Sequence, residues 1–390
     1  MKFRILTFGL AALLPMVLMA PPSSATIKTG AVCKVIGQTK VQNQTEFSCL
    51  KKGQKLVWSA GKKVTNPKPS TTKAAQIPAI TFENLEKNIE NIPQTAWAKS
   101  NPLWTKNESK IKGVTLLFGP SKKPLNCYGG LSELTRISNF WGKYRQPEKT
   151  VAIYAAPEDN KWATGEFLRV TGTNGPVNNG AGVATVNSQG VGQIVFYVSG
   201  DKSSSNCGGG IEKHEYTHVV QLSQRSKSGQ LLSIWPPTWF LEGQAEFAGS
   251  SEFPFEYYKK FSSLNRLVPQ GALKDSEPAT ISAFLQTTSS LTFADYSVGY
   301  QVIEILAAVG GPHSTMDVIV EMANGKNFSE AFEMVYKTSW AQAVTIISKV
   351  ISAQIKANQN VPLSQFGNIK GEIGTFKWPE RGYFDEALFN

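Results

Sequence analysis

The sequence predicts an α+β protein with two lobes, one containing strands and the other mostly helical. Three runs of apolar, β-prone residues typical of strands lie before residue 200, at positions 114–118, 151–154 and 193–198. From residue 211 to about residue 357, apolar residues instead recur at helical spacing. About 310 residues follow residue 80, which is enough for a single domain built from two lobes.

The first 25 residues predict a secretory signal peptide. A short basic start with Lys2 and Arg4 precedes an apolar stretch from residue 5 to residue 20, and small residues follow at 23–25. The apolar stretch is shorter than the roughly 20 residues that a spanning helix needs, so a retained anchor is the less favoured alternative. The sequence therefore predicts an exported protein, secreted or associated with the cell surface, without a transmembrane span in its mature form.

Four cysteines suit the oxidising surroundings of an exported protein. Cys33 and Cys49 lie within residues 26–58, which we predict to be a small basic module, whereas Cys127 and Cys207 lie in the larger domain. Pairing 33 with 49 and 127 with 207 is the simplest of the three connectivities that four cysteines allow. The cysteines lack the C-x-x-C spacing typical of structural zinc sites.

The net charge of +11 belongs to the N-terminal part of the chain. Residues 1–25 carry a charge of +2 from Lys2 and Arg4, and residues 26–80 carry +9 from ten lysines and a single acidic residue, Glu46, so residues 81–390 carry no net charge. An exported, lysine-rich module suits an anionic polymer at a cell surface, and simple solubility of the module is the alternative. Nucleic acid is not an expected partner, because the segment is extracellular and has few aromatic residues.

Composition indicates two further boundaries. Residues 59–79 are rich in Lys, Pro, Ser and Thr, which predicts a flexible linker between the module and a domain spanning residues 80–357. Residues 358–390 show little periodicity. Aromatic residues in this tail, among them Phe376, Trp378, Tyr383 and Phe389, predict that it packs back onto the domain.

The motif HExxH occurs at residues 214–218, and it contains two of the three histidines of the chain. On a helix, His214 and His218 lie one turn apart on the same face, where both imidazoles can reach one Zn²⁺. Glu215 can accept a proton from the zinc-bound water as that water attacks a carbonyl. The alternative is two surface histidines on an amphipathic helix. It is weakened by the scarcity of histidine and by apolar flanking residues.

A catalytic zinc site needs three protein ligands, and no third histidine lies near the motif. Residues 237–247 predict a largely buried helix that begins after a Pro-Pro pair, with Thr238 as its cap. Glu242 and Glu246 share one face of that helix. We expect Glu242 to bind the metal and Glu246 to accept a hydrogen bond from the N–H group of a ligand histidine. The alternative is that both glutamates face solvent.

The HExxH motif followed by a helix reading W-x-x-E-G-x-A-E resembles the gluzincin metallopeptidases, the clan that includes thermolysin and the zinc aminopeptidases. The resemblance covers roughly residues 190–356. It implies a zincin-like fold, with Glu242 completing the metal site and Glu246 supporting a ligand histidine. The 23 residues between His218 and Glu242 make a longer interval than in the best-known members.

Similarity to the aminopeptidase branch implies a further catalytic residue. Tyr296 stands three residues before Gly299 at the start of a predicted helix, where that branch has a tyrosine that stabilises the oxyanion. A phenol O–H is a suitable donor for that purpose. One alternative is that Tyr296 packs on the core. His313 is a rival donor, although its Gly-Gly-Pro context indicates an exposed turn.

These observations predict an exported, zinc-dependent peptidase that acts on peptide or protein substrates. The absence of the G-x-M-E-N exopeptidase signature favours cleavage within a chain over trimming of its end. Two alternatives belong to other classes. One is a catalytically silent gluzincin scaffold that acts as a binding protein at the cell surface, and the other is a zinc hydrolase of non-peptide amides.

Overall fold

The computed structural model describes residues 28–33, 39–42, 45–63, 79–106, 109–121, 129–172, 182–187, 190–197, 210–224, 235–266, 273–287 and 292–359. The chain forms two compact units, residues 1–76 and 77–390. The predicted signal peptide, the Cys127–Cys207 pair and residues 360–390 of the predicted tail lie outside the described residues. Within the described part of the chain, no helix has the length and apolar character needed to cross a bilayer.

The first unit contains a small antiparallel sheet closed by a disulfide. Its strands are β1 (Thr39–Gln42), β2 (Thr45–Lys52), β3 (Lys55–Trp58) and β4 (Lys62–Lys63), and β2 pairs with each of the others. The predicted disulfide between Cys33 and Cys49 is confirmed. Both sulfurs are buried against Trp58, and the bridge compensates for a core too small to be stable alone.

The second unit contains a four-stranded sheet in the order β5-β6-β8-β7. Its strands are β5 (Gly113–Phe118), β6 (Lys149–Ala155), β7 (Gly182–Val186) and β8 (Gly192–Tyr197). Strands β5, β6 and β8 are parallel to one another, whereas β7 runs antiparallel to β8 and forms one edge of the sheet. The three predicted strands are therefore present, and the glycine-rich region before β8 contributes the edge strand.

Helices make up most of the rest of the second unit, which confirms the α+β prediction. They are α1 (Ile92–Ser100), α2 (Leu131–Phe140), α3 (Asn160–Thr171), α4 (Gly210–Gln224), α5 (Thr238–Ser250), α6 (Phe255–Asn265), α7 (Pro278–Leu285), α8 (Phe293–Gly310), α9 (Pro312–Ala323), α10 (Phe328–Tyr336) and α11 (Trp340–Asn358). One hydrophobic core extends from the sheet through α4 and α5 to α11.

Two glycines allow α5 and α8 to cross with their backbones in contact. A Cβ atom on Gly243 would come within 2.2 Å of the backbone of Gly299, and one on Gly299 would come within 2.1 Å of the carbonyl oxygen of Trp239. No larger side chain fits at such a crossing. Because Gly243 follows Glu242 directly, this close contact determines where the Glu242 side chain emerges.

Candidate metal centre

Helix α4 carries the HExxH motif and is buried between the sheet and the helical lobe. It packs against β7 and β8 of the sheet and against the helices α2 and α5. Tyr216, Val219 and Val220 are fully buried. Apolar packing therefore holds this helix on several sides, so that the histidines on its remaining face have a defined position.

A buried ion cluster holds the first turn of α4. Lys213 is inaccessible to solvent, and its Nζ lies 2.5 Å from Glu252 and 3.3 Å from Glu133. Glu252 also pairs with Arg136. An unpaired charge at this depth would cost several kcal/mol. The cluster therefore binds α4 to α2 and to the segment that follows α5.

Glu212 makes a second buried connection from the same turn. Its carboxylate accepts hydrogen bonds from the Tyr154 hydroxyl at 2.7 Å and from the backbone N–H groups of Gly129 and Gly130 at 3.1 and 2.7 Å. Burial, followed by the charge of Glu133, raises the pKa of Glu212 to about 7. These contacts join α4 to β6 and to the turn before α2.

The side chains of His214, His218 and Glu242 converge on one point between α4 and α5. The two Nε2 atoms are 3.1 Å apart, and they lie 3.2 and 3.3 Å from Oε2 of Glu242. A tetrahedral ion with bonds of about 2.0–2.1 Å holds its ligand atoms about 3.3–3.4 Å apart. The three atoms are therefore spaced as ligands of one ion are, and this group could hold a metal ion.

The three side chains do not face bulk solvent. Their exposed fractions are 13% for His214, 17% for His218 and 15% for Glu242. The structure thus brings together the three residues that the sequence predicts as ligands. Glu246 lies beside them, with its Oε1 atom 3.7 Å from Nδ1 of His214. That distance is longer than a hydrogen bond, so the contact is electrostatic.

Charge and burial act in opposite directions on these groups. Burial alone would lower the pKa of His218, but Glu242, Glu215 and the hydrogen bond to Gln221 together outweigh burial and raise that pKa to about 9. For Glu242, burial raises the pKa, but the two histidines more than offset burial and hold it far below its usual range. At neutral pH the metal-free cluster therefore contains an imidazolium paired with a carboxylate.

The proton on His218 predicts how the affinity of this group for a metal ion depends on pH. Because His218 must lose that proton before its Nε2 atom can bind a cation, protons compete with a metal ion below a pH of about 9. We expect the apparent affinity to increase about tenfold for each pH unit between neutrality and that value, and to level off above it. Zinc titration against a competing chelator measures this. A flat profile would show that no ligand proton is displaced.

Glu215 lies next to this cluster, under the edge strand β7. A Cβ atom on Gly182 would come within 2.5 Å of Oε1 of Glu215, so any other residue at that position would force this carboxylate to move. Burial raises the pKa of Glu215, and the charges of His214 and His218 partly counteract that effect. A carboxylate with a raised pKa is a better proton acceptor near neutral pH.

Tyr296 and His313 have different surroundings. The Tyr296 ring lies 6.0 Å from the His214 ring, and its pKa is raised by burial and then by the nearby charges of Glu242 and Glu215. His313 is partly buried at the start of α9, so the expectation of an exposed turn is wrong. Its Nε2 atom donates to the Phe140 carbonyl at 2.7 Å, which commits it to a structural contact.

The sequence did not indicate two residues that contact this centre. Gln221 places its Oε1 atom 2.7 Å from Nδ1 of His218. Gly182 makes room for Glu215. The spacing of Gln221, three residues after His218 on the same helix, is compatible with contact, but a helical glutamine is too common to predict such a role.

Comparison of the chain with known proteins gives no matching family model and no matching curated protein. The interpretation of this centre therefore depends on its own residues and on their geometry.

Proposed function

We propose that the second unit is a gluzincin-like zinc peptidase with a zincin-like fold. The observation that carries the proposal is the convergence of two Nε2 atoms and one carboxylate oxygen within 3.1–3.3 Å of one another, beside the buried carboxylate of Glu215. Two imidazoles and one carboxylate are a donor set typical of catalytic zinc, and three protein ligands leave one position open. The spacing and low exposure of the three ligands fit such an ion.

When bound, Zn²⁺ supplies Lewis acidity towards a carbonyl oxygen and lowers the pKa of water towards about 7. The residues of the chain supply the proton transfers. Glu215 takes a proton from the attacking water and delivers it to the leaving amine, since its pKa is raised and it lies beside the ligands. Tyr296 donates a hydrogen bond to the oxygen on which negative charge develops.

A peptide substrate is favoured by the edge strand next to Glu215. Among the described residues, β7 pairs only with β8, and we propose that its other edge offers N–H and C=O groups to a ligand. An extended peptide can add to such an edge as a further strand, which would lead its backbone past Glu215. An acetylated sugar, the substrate of the alternative hydrolase, has no backbone to pair in this way.

The proposal includes an extracytoplasmic location. Its support is the sequence of residues 1–25 together with the Cys33–Cys49 disulfide, since disulfides persist mainly in oxidising compartments. The lysines of the first unit, among them the exposed Lys51, Lys52 and Lys55, suit an anionic polymer at the cell surface.

The test of this function is metal content together with proteolysis. We expect purified protein to contain one zinc per chain and to cleave casein, and we expect a chelator to abolish cleavage and added zinc to restore it. Zinc without cleavage would favour the silent binding scaffold, and cleavage of acetylated sugars but not peptides would favour the other hydrolase. Protein that binds no zinc under any of these conditions would overturn the proposal.

A further inference from the structure

The orientation of His218 depends on where its ring carries a proton. For Nε2 to offer a lone pair to a cation, Nδ1 must hold the proton of the neutral ring, and the partner of Nδ1 decides between the two tautomers. That partner is Oε1 of Gln221, at 2.7 Å. A glutamine amide can present either its oxygen or its NH₂ group, so this contact selects a tautomer only if the amide itself cannot turn over.

Two acceptors hold the amide of Gln221 in one orientation. Its Nε2 atom donates to the backbone carbonyl of Leu241 at 3.0 Å and to Oε1 of Gln244 at 2.8 Å. A backbone carbonyl can only accept, so the NH₂ group must face Leu241 and the oxygen must face His218. Gln221 is 1% exposed, which leaves no water to satisfy a reversed amide.

The same logic continues through Gln244 to α9. Nε2 of Gln244 donates to the Thr315 hydroxyl at 2.6 Å, and that hydroxyl donates to the carbonyl of Pro312 at 2.7 Å. Because the backbone carbonyl of Pro312 can only accept a hydrogen bond, the Thr315 hydroxyl must donate its proton to that carbonyl. The hydroxyl oxygen then offers a lone pair to the NH₂ group of Gln244. Gln244 and Thr315 are fully buried. Every hydrogen bond along this chain is therefore donated in one direction, from His218 through Gln221 and Gln244 to Thr315.

We propose that Gln221, Gln244 and Thr315 are positioning residues that fix His218 in the tautomer whose Nε2 atom faces Glu242. The inference rests on the proposed metal centre and extends it to α9, which supplies no ligand. It also distinguishes the two ligand histidines. The Nδ1 atom of His214 lies 3.7 Å from a carboxylate oxygen of Glu246. The Nδ1 atom of His218 instead faces a relay of uncharged side chains, whose orientation is fixed by the backbone carbonyls of Leu241 and Pro312.

The relay can be tested at the residue farthest from the metal. In Thr315→Val the hydroxyl is lost, so the NH₂ group of Gln244 loses its acceptor. The amide of Gln244, and through it the amide of Gln221, then loses one of the hydrogen bonds that orient it. We expect about tenfold weaker zinc binding for Thr315→Val and about 10–100-fold weaker binding for Gln221→Leu, as for other outer partners of ligand histidines. Thr315→Ser keeps the hydroxyl and should bind zinc as the unaltered protein does.

Ser223→Ala is the matched control. Like the Thr315 hydroxyl, the Ser223 hydroxyl is buried. It lies on α4 and donates to the Val219 carbonyl at 2.7 Å, but it does not belong to the relay. We expect this variant to retain the full zinc affinity. Equal affinities for Thr315→Val and Thr315→Ser, in proteins with the same melting temperature, would overturn the inference.

A second readout needs neither zinc nor a variant. Nitrogen-15 NMR of the metal-free, histidine-labelled protein can be recorded over a series of increasing pH until the spectrum shows a neutral His218 ring. We expect the proton on Nδ1 of His218, and a larger share of the other tautomer in Thr315→Val, where the Leu241 carbonyl still holds the Gln221 amide but Gln244 has lost its acceptor. A proton on Nε2 in the unaltered protein would contradict the relay. If the unaltered protein bound no zinc, the proposed function would fail while this spectrum still decided the relay.

Discussion

Glu215→Gln should abolish peptide hydrolysis and leave zinc binding intact. Glutamine has almost the same shape as glutamate, so it fits in the space that Gly182 leaves under β7. It cannot accept a proton from water. General base catalysis contributes about 10²–10⁴-fold to a rate, and here the same group must also return the proton to the leaving amine. We therefore expect the loss in kcat to reach at least the upper part of that range.

Three measurements on Glu215→Gln make this result specific. Elemental analysis should find one zinc per chain, and the melting temperature should not fall, since a buried carboxylate with a raised pKa is replaced by a neutral amide. Casein cleavage should disappear. Full activity in this variant would show that the proposed mechanism is wrong, even if the metal centre is correct.

Glu242→Gln should produce the largest loss of zinc. The change replaces the only anionic atom among the three predicted ligands by a neutral carbonyl or amide group. Loss of an outer partner of a ligand typically weakens metal binding about 10–100-fold, and loss of a direct ligand should exceed that range. Activity should disappear together with the metal.

The matched control is Glu246→Gln, which makes the same chemical change one turn along α5. Glu246 lies 3.7 Å from the far nitrogen of His214, so we expect only a modest loss of zinc affinity. The metal-free proteins offer an independent check, because Glu242 is the main cause of the raised pKa of His218. That pKa should fall well below about 9 in Glu242→Gln. Equal zinc affinity in the two variants would remove Glu242 from the ligand set.

Local patterns in the sequence predicted much of this arrangement. The spacing of His214 and His218 places both rings on one face of any helix, whatever surrounds it. The α+β class followed from the change in apolar periodicity near residue 200, and the Cys33–Cys49 bridge followed from the short separation of the two cysteines. In each case the relevant residues are neighbours in sequence or follow a regular helical repeat.

The setting of His313 was mispredicted for the opposite reason. Its Gly-Gly-Pro context indicates a turn, and the turn does exist, since Gly311 has a φ of 84° and α9 begins at Pro312. Burial of the ring depends instead on Trp141 and Tyr144, which lie about 170 residues earlier in the chain. Turn chemistry is local, whereas exposure depends on what packs against the turn.

The sequence by itself determined the candidate ligands, the candidate base and the helices that carry them, because helical periodicity converts spacing directly into a shared face. Only the tertiary structure decided that α5 approaches α4 closely enough for Glu242 to join the histidines. It also decided that β7 passes over Glu215, and that Thr315 on α9 orients Gln221 through Gln244. These contacts join segments separated by tens of residues, and side-chain packing and buried hydrogen-bond satisfaction determine them rather than any repeat in the chain.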